Sequence, residues 1–155
     1  MNNDEIRLKG IVELNQIRDN KIIDSRYIDN TVLTIGKSQI AGHLVADVST
    51  GSAIDWMSIG IGSATITAGD TTLGSEYLKI GIGSLTGDRT TTTTTNDTAR
   101  WIGSFHIDAT KSVNEVGLFN QSGLNTGSIY TRACFSALNV VDGDNINGTY
   151  TIVVA

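Results

Sequence analysis

Val113-Asn114-Glu115-Val116-Gly117-Leu118-Phe119, the break Asn120-Gln121-Ser122-Gly123, and the apolar run from Ser128 to Leu138 decide the fold class. Short apolar runs with β-branched and aromatic residues, separated by Asn, Gln, Ser and Gly, read as strand, turn and strand. The pattern recurs at Ala99 to Ile107 and at Asn145 to Val154, the latter entered through Asp142-Gly143-Asp144-Asn145. Eight or so short strands at regular spacing predict a mainly β fold, a β-sandwich or jelly-roll-like barrel. A length of 155 residues fits one domain with a core of its own.

Toward the N-terminus, Ile6 to Leu14 alternates imperfectly between apolar and polar, as a half-buried strand does. Arg18-Asp19-Asn20-Lys21 reads as a turn, and Ile22 to Ile28 as a second strand of a hairpin, with Asp24 and Arg26 facing solvent. Residues 1–5 read as a polar, flexible N-terminal arm. The period then changes. Val32, Leu33, Gly36, Ile40, Leu44 and Val45 recur at three- and four-residue steps, which predicts one helix near residues 30–48, with Asn30 or Thr31 as its N-cap and Ser49-Thr50-Gly51 as its stop.

From Ile54 the period returns to two. Trp56-Met57-Ser58-Ile59-Gly60-Ile61-Gly62-Ser63 is echoed by Tyr77-Leu78-Lys79-Ile80-Gly81-Ile82-Gly83-Ser84. The echo is either a local duplication or two strands with the same packing demand. Gly60, Gly62, Gly81 and Gly83 give each strand a face of bare backbone, which another layer must cover, from the same chain or from a neighbour. The six threonines from Thr90 to Thr95 carry no apolar alternation and are expected in an exposed loop or outer strand.

The net charge of -5 and the lack of a clustered Lys/Arg patch argue against nucleic-acid or anionic-membrane partners. Cys134, within Ala133-Cys134-Phe135, reads as a small buried hydrophobe, and a single cysteine allows no internal disulfide. The acidic start Met1-Asn2-Asn3-Asp4-Glu5 lacks a signal peptide's basic and apolar parts, so synthesis and folding in a cytoplasm are expected.

No catalytic constellation is legible. The chain has no Gly-x-Ser-x-Gly elbow, no phosphate loop, no His-Glu-x-x-His and no Cys-x-x-Cys. No catalytic, metal or cofactor residue is therefore assigned. His43 reads as a helical surface histidine, with His106 the chain's only other one. Asp142-Gly143-Asp144-Asn145-Ile146-Asn147-Gly148 has the carboxylate density of a calcium loop, but Ile146 stands where an oxygen ligand is needed, and a polar turn is the expectation. Glu115 lies among Val113, Val116 and Leu118, and Arg132 on a neighbouring strand is its natural partner in a buried structural pair.

Two groups of residues together resemble a known family. Ile59-Gly60-Ile61-Gly62-Ser63 followed by Gly69-Asp70-Thr71-Thr72-Leu73-Gly74-Ser75-Glu76 forms the first. Val113-Asn114-Glu115-Val116-Gly117-Leu118-Phe119, Tyr130-Thr131-Arg132-Ala133-Cys134-Phe135 and the closing Tyr150-Thr151-Ile152-Val153-Val154 form the second. Over residues 30–154 the chain resembles small structural proteins of tailed-bacteriophage virions. The resemblance implies a non-enzymatic virion component without a cofactor. It implies a capsid decoration or cementing protein, or a tail, collar or fibre-base subunit, contacting the major capsid protein or tail and neck proteins, and a homo-oligomer with a trimer as the first expectation. The threonine run suggests a further alternative, a glycan- or receptor-binding module.

Overall fold

The computed structural model describes residues 7–44, 53–81 and 84–155. Among these described residues nine strands and one helix follow in order: β1 Leu8–Arg18, β2 Lys21–Val32, α1 Thr34–Leu44, β3 Trp56–Gly60, β4 Glu76–Ile80, β5 Leu85–Thr90, β6 Thr98–His106, β7 Lys111–Phe119, β8 Ile129–Val140 and β9 Asn145–Val154. The strands form one antiparallel sheet in the order β4-β3-β7-β8-β2-β1-β9-β6-β5. The protein is thus mainly β, a nearly closed barrel-like sheet with one helix among the described residues. Closure is made by side chains. A Cβ on Gly103 of β6 would collide with Ile80 Cδ1 at the end of β4, so the two margins of the sheet touch there.

The main core fills the barrel with Val12 and Leu14 of β1, Met57 and Ile59 of β3, Phe105 of β6, Val116 and Leu118 of β7, and Ile146 and Tyr150 of β9. On β1, β6 and β9 these positions alternate with more exposed ones, as period-two burial of one face requires, whereas β3 and most of β7 are buried on both faces. A smaller cluster of Leu33, Leu73, Phe119 and Ile129, with Trp56 and Ile66 against it, lies on the opposite face of β7 and β8. That second layer consists of residues 61–75 and the start of α1, laid over the outside of the sheet.

The first hairpin turns at Asp19 and Asn20, both with positive φ (50° and 60°). This is the backbone of a type I′ turn, whose twist suits two paired strands. One expectation is corrected here. Asp24 keeps its side chain in solvent, but Arg26 does not face open solvent; it lies on the less exposed side of β2, and Tyr27 points outward instead. Arg26 donates from Nε to the Ser136 carbonyl at 2.7 Å and from Nη2 to the Ala137 carbonyl at 2.8 Å, and so spans from β2 to β8. From Asp24 onward the alternation is unbroken, so Arg26 takes the side of Ile28, which packs against the main core; the bulge opposite Gln16 and Ile17 leaves Ile23 unpaired and turns both Ile22 and Ile23 outward.

The helix starts later than its periodicity indicates. Asn30 is held in the ladder opposite Gly10, and Thr31 and Val32 pair with β8. Neither Asn30 nor Thr31 caps α1. Its first intrahelical bond runs from Lys37 N–H to the Leu33 carbonyl. The expected end near residue 48, the Ser49-Thr50-Gly51 stop and the arm of residues 1–5 lie outside the described residues.

Gly36 seats α1 on β8. A Cβ there would fall well inside contact distance of the Tyr130 carbonyl oxygen. Gly36→Ala sets a helix-propensity gain of about 1 kcal/mol against an overpacking cost of about 1–3 kcal/mol, and a backbone atom cannot swing aside. Chemical denaturation should show the variant less stable than the parent despite its better helix former.

Candidate functional site

The register of β7 against β8 shifts between Val113 and Glu115. Val113 and Val116 both enter the main core, so the side-chain alternation reverses at Asn114 and sends Glu115 to the other face, beside Gly117. Glu115 is fully buried there. Its Oε1 accepts the N–H groups of Gly62 and Ser75, and its Oε2 accepts the N–H of Gly74 and Nη2 of Arg132, all at 2.8 Å. Arg132, also buried, donates from Nη1 to Asp70 Oδ2 at 2.6 Å and from Nη2 to the Ala64 carbonyl at 3.2 Å. Asp70 in turn accepts the N–H and hydroxyl of Thr67. Burial alone would raise the Asp70 carboxyl, but the donors from Thr67 and Arg132 outweigh it and hold the group below its ordinary value.

Residues 61–75, which contain neither helix nor strand, are thus clamped onto the sheet by one carboxylate and one guanidinium. The structure brings together Glu115, Arg132, Gly60 and Gly62. A Cβ on Gly60 would lie 2.5 Å from the Ser75 carbonyl oxygen and 2.6 Å from Glu115 Oε1, and one on Gly62 would run into the same carboxylate. The expected bare backbone is therefore covered by the chain's own loop. Gly81 lies elsewhere, under the ring of Trp56, which likewise fills the space of a side chain. At these three positions the glycines give no ground for a neighbouring subunit. Gly83 lies outside the described residues.

Three further carboxylates anchor loops, a role that the residue pattern did not assign to them. In the threonine run, Asp97 accepts the N–H groups of Thr92, Thr93 and Thr94 at 2.9, 2.8 and 2.7 Å, so these exposed residues form an ordered loop. The Thr94 N–H foremost, with the Thr98 hydroxyl and the remaining amides, holds the Asp97 carboxyl well below the usual range. Asp144, buried in the would-be calcium loop, accepts Arg18 at 2.7 and 2.8 Å, Gln16 at 2.8 Å and the Val141 N–H at 3.0 Å. Its oxygens serve the turn and tie it to β1. Glu76 accepts the Asn125 N–H and lies 3.3 Å from Lys79, whose ammonium sits 4.0 Å over the Phe119 ring and donates to the Gly123 and Thr126 carbonyls. Burial lowers the Lys79 ammonium below its ordinary value, against the pull of Glu76.

Cys134 stands opposite Glu115 in the ladder and is half-buried, with its Sγ 3.6 Å from the Ala64 carbonyl; burial pushes its thiol up. His106 is exposed beside Asn145, and the side chain of His43 lies outside the described residues. Among the described residues, no three His, Cys, Asp or Glu side chains gather as a metal would require. Also among them, no helix is long and apolar enough to cross a membrane.

Removing one partner of the buried pair, by Glu115→Ala or Arg132→Met, should cost about 3–5 kcal/mol in denaturant melts because it strands the other charge. Replacing both with apolar residues should not restore stability. Three loop amides would still lose their acceptor, at roughly 1–3 kcal/mol for each buried donor left unpaired.

The Arg18 hydrogen bonds first, then the Val141 N–H and Gln16, outweigh the effect of burial and hold the Asp144 carboxyl far below its ordinary value. Such a group stays charged in the folded protein where the unfolded chain, at about 3.9, has already taken a proton. Its contribution is complete above about pH 4 and is lost as pH falls below that. Melting temperature followed from neutral pH downward should decline below that point, and Asp144→Asn should flatten the decline. Compared with known protein families, curated proteins and solved structures, the chain matches none.

Proposed function

We propose that this chain is a non-enzymatic structural subunit of a tailed-phage virion, with decoration or cementing of the assembled head as its first role. One observation carries the reading. The residues behind the sequence resemblance meet at the clamp: Gly60, Gly62, Asp70, Glu115 and Arg132 hold residues 61–75 to the sheet, and Leu73 packs against Gly117 beneath them. A pattern that specifies a scaffold and no reacting group suits a subunit whose work is to present a surface in many copies. Individually modest contacts then gain strength by multivalency. The partners on this reading are the major capsid protein, or tail and neck proteins if the subunit belongs to the tail, collar or fibre base. The chain is made in the host cytoplasm and ends in the virion.

A second reading, a glycan-binding module, has one feature in its favour. A groove of about 320 Å³ on the outer face of β1, β2 and β9 is lined by Tyr27, Glu13, Thr92, Thr149 and Thr151, with an exposed ring beside a carboxylate and hydroxyls.

Purified protein should bind expanded capsids at regular lattice positions in particle images and leave unexpanded ones bare. Density confined to the tail or collar would select the alternative role, and saturable binding on a glycan array without capsid binding would select the module.

A further inference from the structure

Strand pairing fixes the layout of the groove on the outer face of β1, β2 and β9. Tyr27 stands opposite Glu13 and Glu13 opposite Thr149, while one step along Ile11 stands opposite Thr151. Facing side chains in such rows are about 4.5–5.5 Å apart, so ring, carboxylate and hydroxyl share a strip roughly 10 Å long. Ile11 and Val153 supply the apolar lining, and Thr92 of the threonine loop borders it. The parts are held in place by the chain itself. Thr92 donates its N–H to Asp97 Oδ1 at 2.9 Å, its hydroxyl lies 2.8 Å from that of Thr98, and the Asp97 carbonyl accepts the Val154 N–H at 2.9 Å. The loop is thereby tied to the end of β9. Asn15 donates from Nδ2 to Glu13 Oε1 at 2.8 Å and accepts the Ser25 hydroxyl at 2.7 Å, which orients the carboxylate and leaves Oε2 to accept from elsewhere. The hydroxyls of Tyr27, Thr149 and Thr151 likewise have no hydrogen-bond partner among the described residues, and Tyr27 is 73% exposed. Glu13 is the one charged side chain among the described residues that line the groove.

We propose that this groove binds a single uncharged pyranose ring. One C–H face of the sugar packs on the Tyr27 ring, Glu13 Oε2 accepts from a sugar hydroxyl, and Thr149 and Thr151 exchange hydrogen bonds with the hydroxyls beside it. The assignment rests on the glycan-binding reading and adds to it the ligand class and the contacts. A pyranose carries apolar C–H groups on its faces and hydroxyls around its rim, which matches an aromatic ring at one corner of an apolar strip bordered by acceptors and donors. A hydroxyl bonded to a carboxylate makes a charge-assisted bond, stronger than one to another hydroxyl. The same carboxylate, with no cation beside it in the lining, repels acidic sugars and phosphates. An organic cation would suit Tyr27 and Glu13, but would leave Thr149 and Thr151 facing a group that offers them no hydrogen bond. A volume of about 320 Å³ lies at the lower end of the ~300–1,000 Å³ of small-molecule sites, which fits one ring and not a run of several. For so small a ligand the expected Kd is on the order of 1 mM. Such a site gains strength when a particle displays it in many copies.

Titration of the full chain, followed by two-dimensional amide NMR, tests it with the methyl glycosides of glucose, galactose and mannose as probes. N-acetylneuraminic acid and tetramethylammonium serve as the anionic and cationic controls. At least one neutral glycoside should shift the amide signals of Ile11, Glu13, Tyr27, Thr149 and Thr151 together and saturably. Tyr27→Ala and Glu13→Gln should each weaken that binding roughly fivefold or more, while Tyr27→Trp retains it. Thermal melts should match the parent, because both side chains project from the surface. Should either variant fail to fold, Thr151→Val keeps the shape of the side chain, removes its hydroxyl and should also weaken binding. Neutral-sugar binding that persists in Tyr27→Ala and Glu13→Gln, or that shifts signals elsewhere, would overturn this site while leaving the glycan reading in place. No saturable response to any neutral glycoside would overturn both. Binding of either charged control as tight as that of the glycosides would overturn the assigned ligand class.

Discussion

The carboxylate of Glu115 accepts hydrogen bonds from three loop amides and one guanidinium while fully buried. A charge removed from water is tolerated only when its lone pairs are met by fixed donors, and here those donors come from residues 61–75. The dependence runs both ways. The loop has no ladder of its own, so its course over the sheet is set by where its amides find an acceptor. Gly60, Gly62 and Gly117 lack the side chains that would hold it away, and Leu73 then closes the second apolar cluster above Gly117.

The same device recurs on a smaller scale around the barrel. Asp97 gathers the amides of the threonine loop, Asp144 ties the β8–β9 turn to Gln16 and Arg18 of β1, and Glu76 with Lys79 secures residues 120–127 over Phe119. A chain without proline must restrict its loops by other means, and acidic side chains bonded to backbone N–H groups do so here. The sheet supplies the frame, and carboxylates supply the order of what connects it.

These anchors divide the molecule. Along β3, β7 and β8 the outer face is covered by its own loop and helix, and its glycines are explained inside one chain. The β1–β2 hairpin is different: Ile22, Ile23 and Tyr27 are exposed, and beyond Thr31 and Val32 its margin is joined to β8 by the Arg26 side chain.

The late strands were legible because each carries a complete local signal. Val113 to Phe119 and Asn145 to Val154 combine β-forming residues with turn chemistry at their ends, and burial of one face enforces the period. The pairing of Glu115 with Arg132 was also within reach, since a charge among apolar neighbours demands an opposite one. Asp70 was not, because 62 residues separate it from Arg132 and nothing local marks a loop aspartate as a buried partner. The sequence alone determined the β class, the hairpin turn at Asp19-Asn20 and the need for cover over Gly60 and Gly62. Tertiary structure decided what supplies that cover and why the helix begins at Thr34 although its apolar spacing begins earlier. Each of those outcomes depends on a ladder register or a bulge, which long-range pairing sets and local composition does not encode.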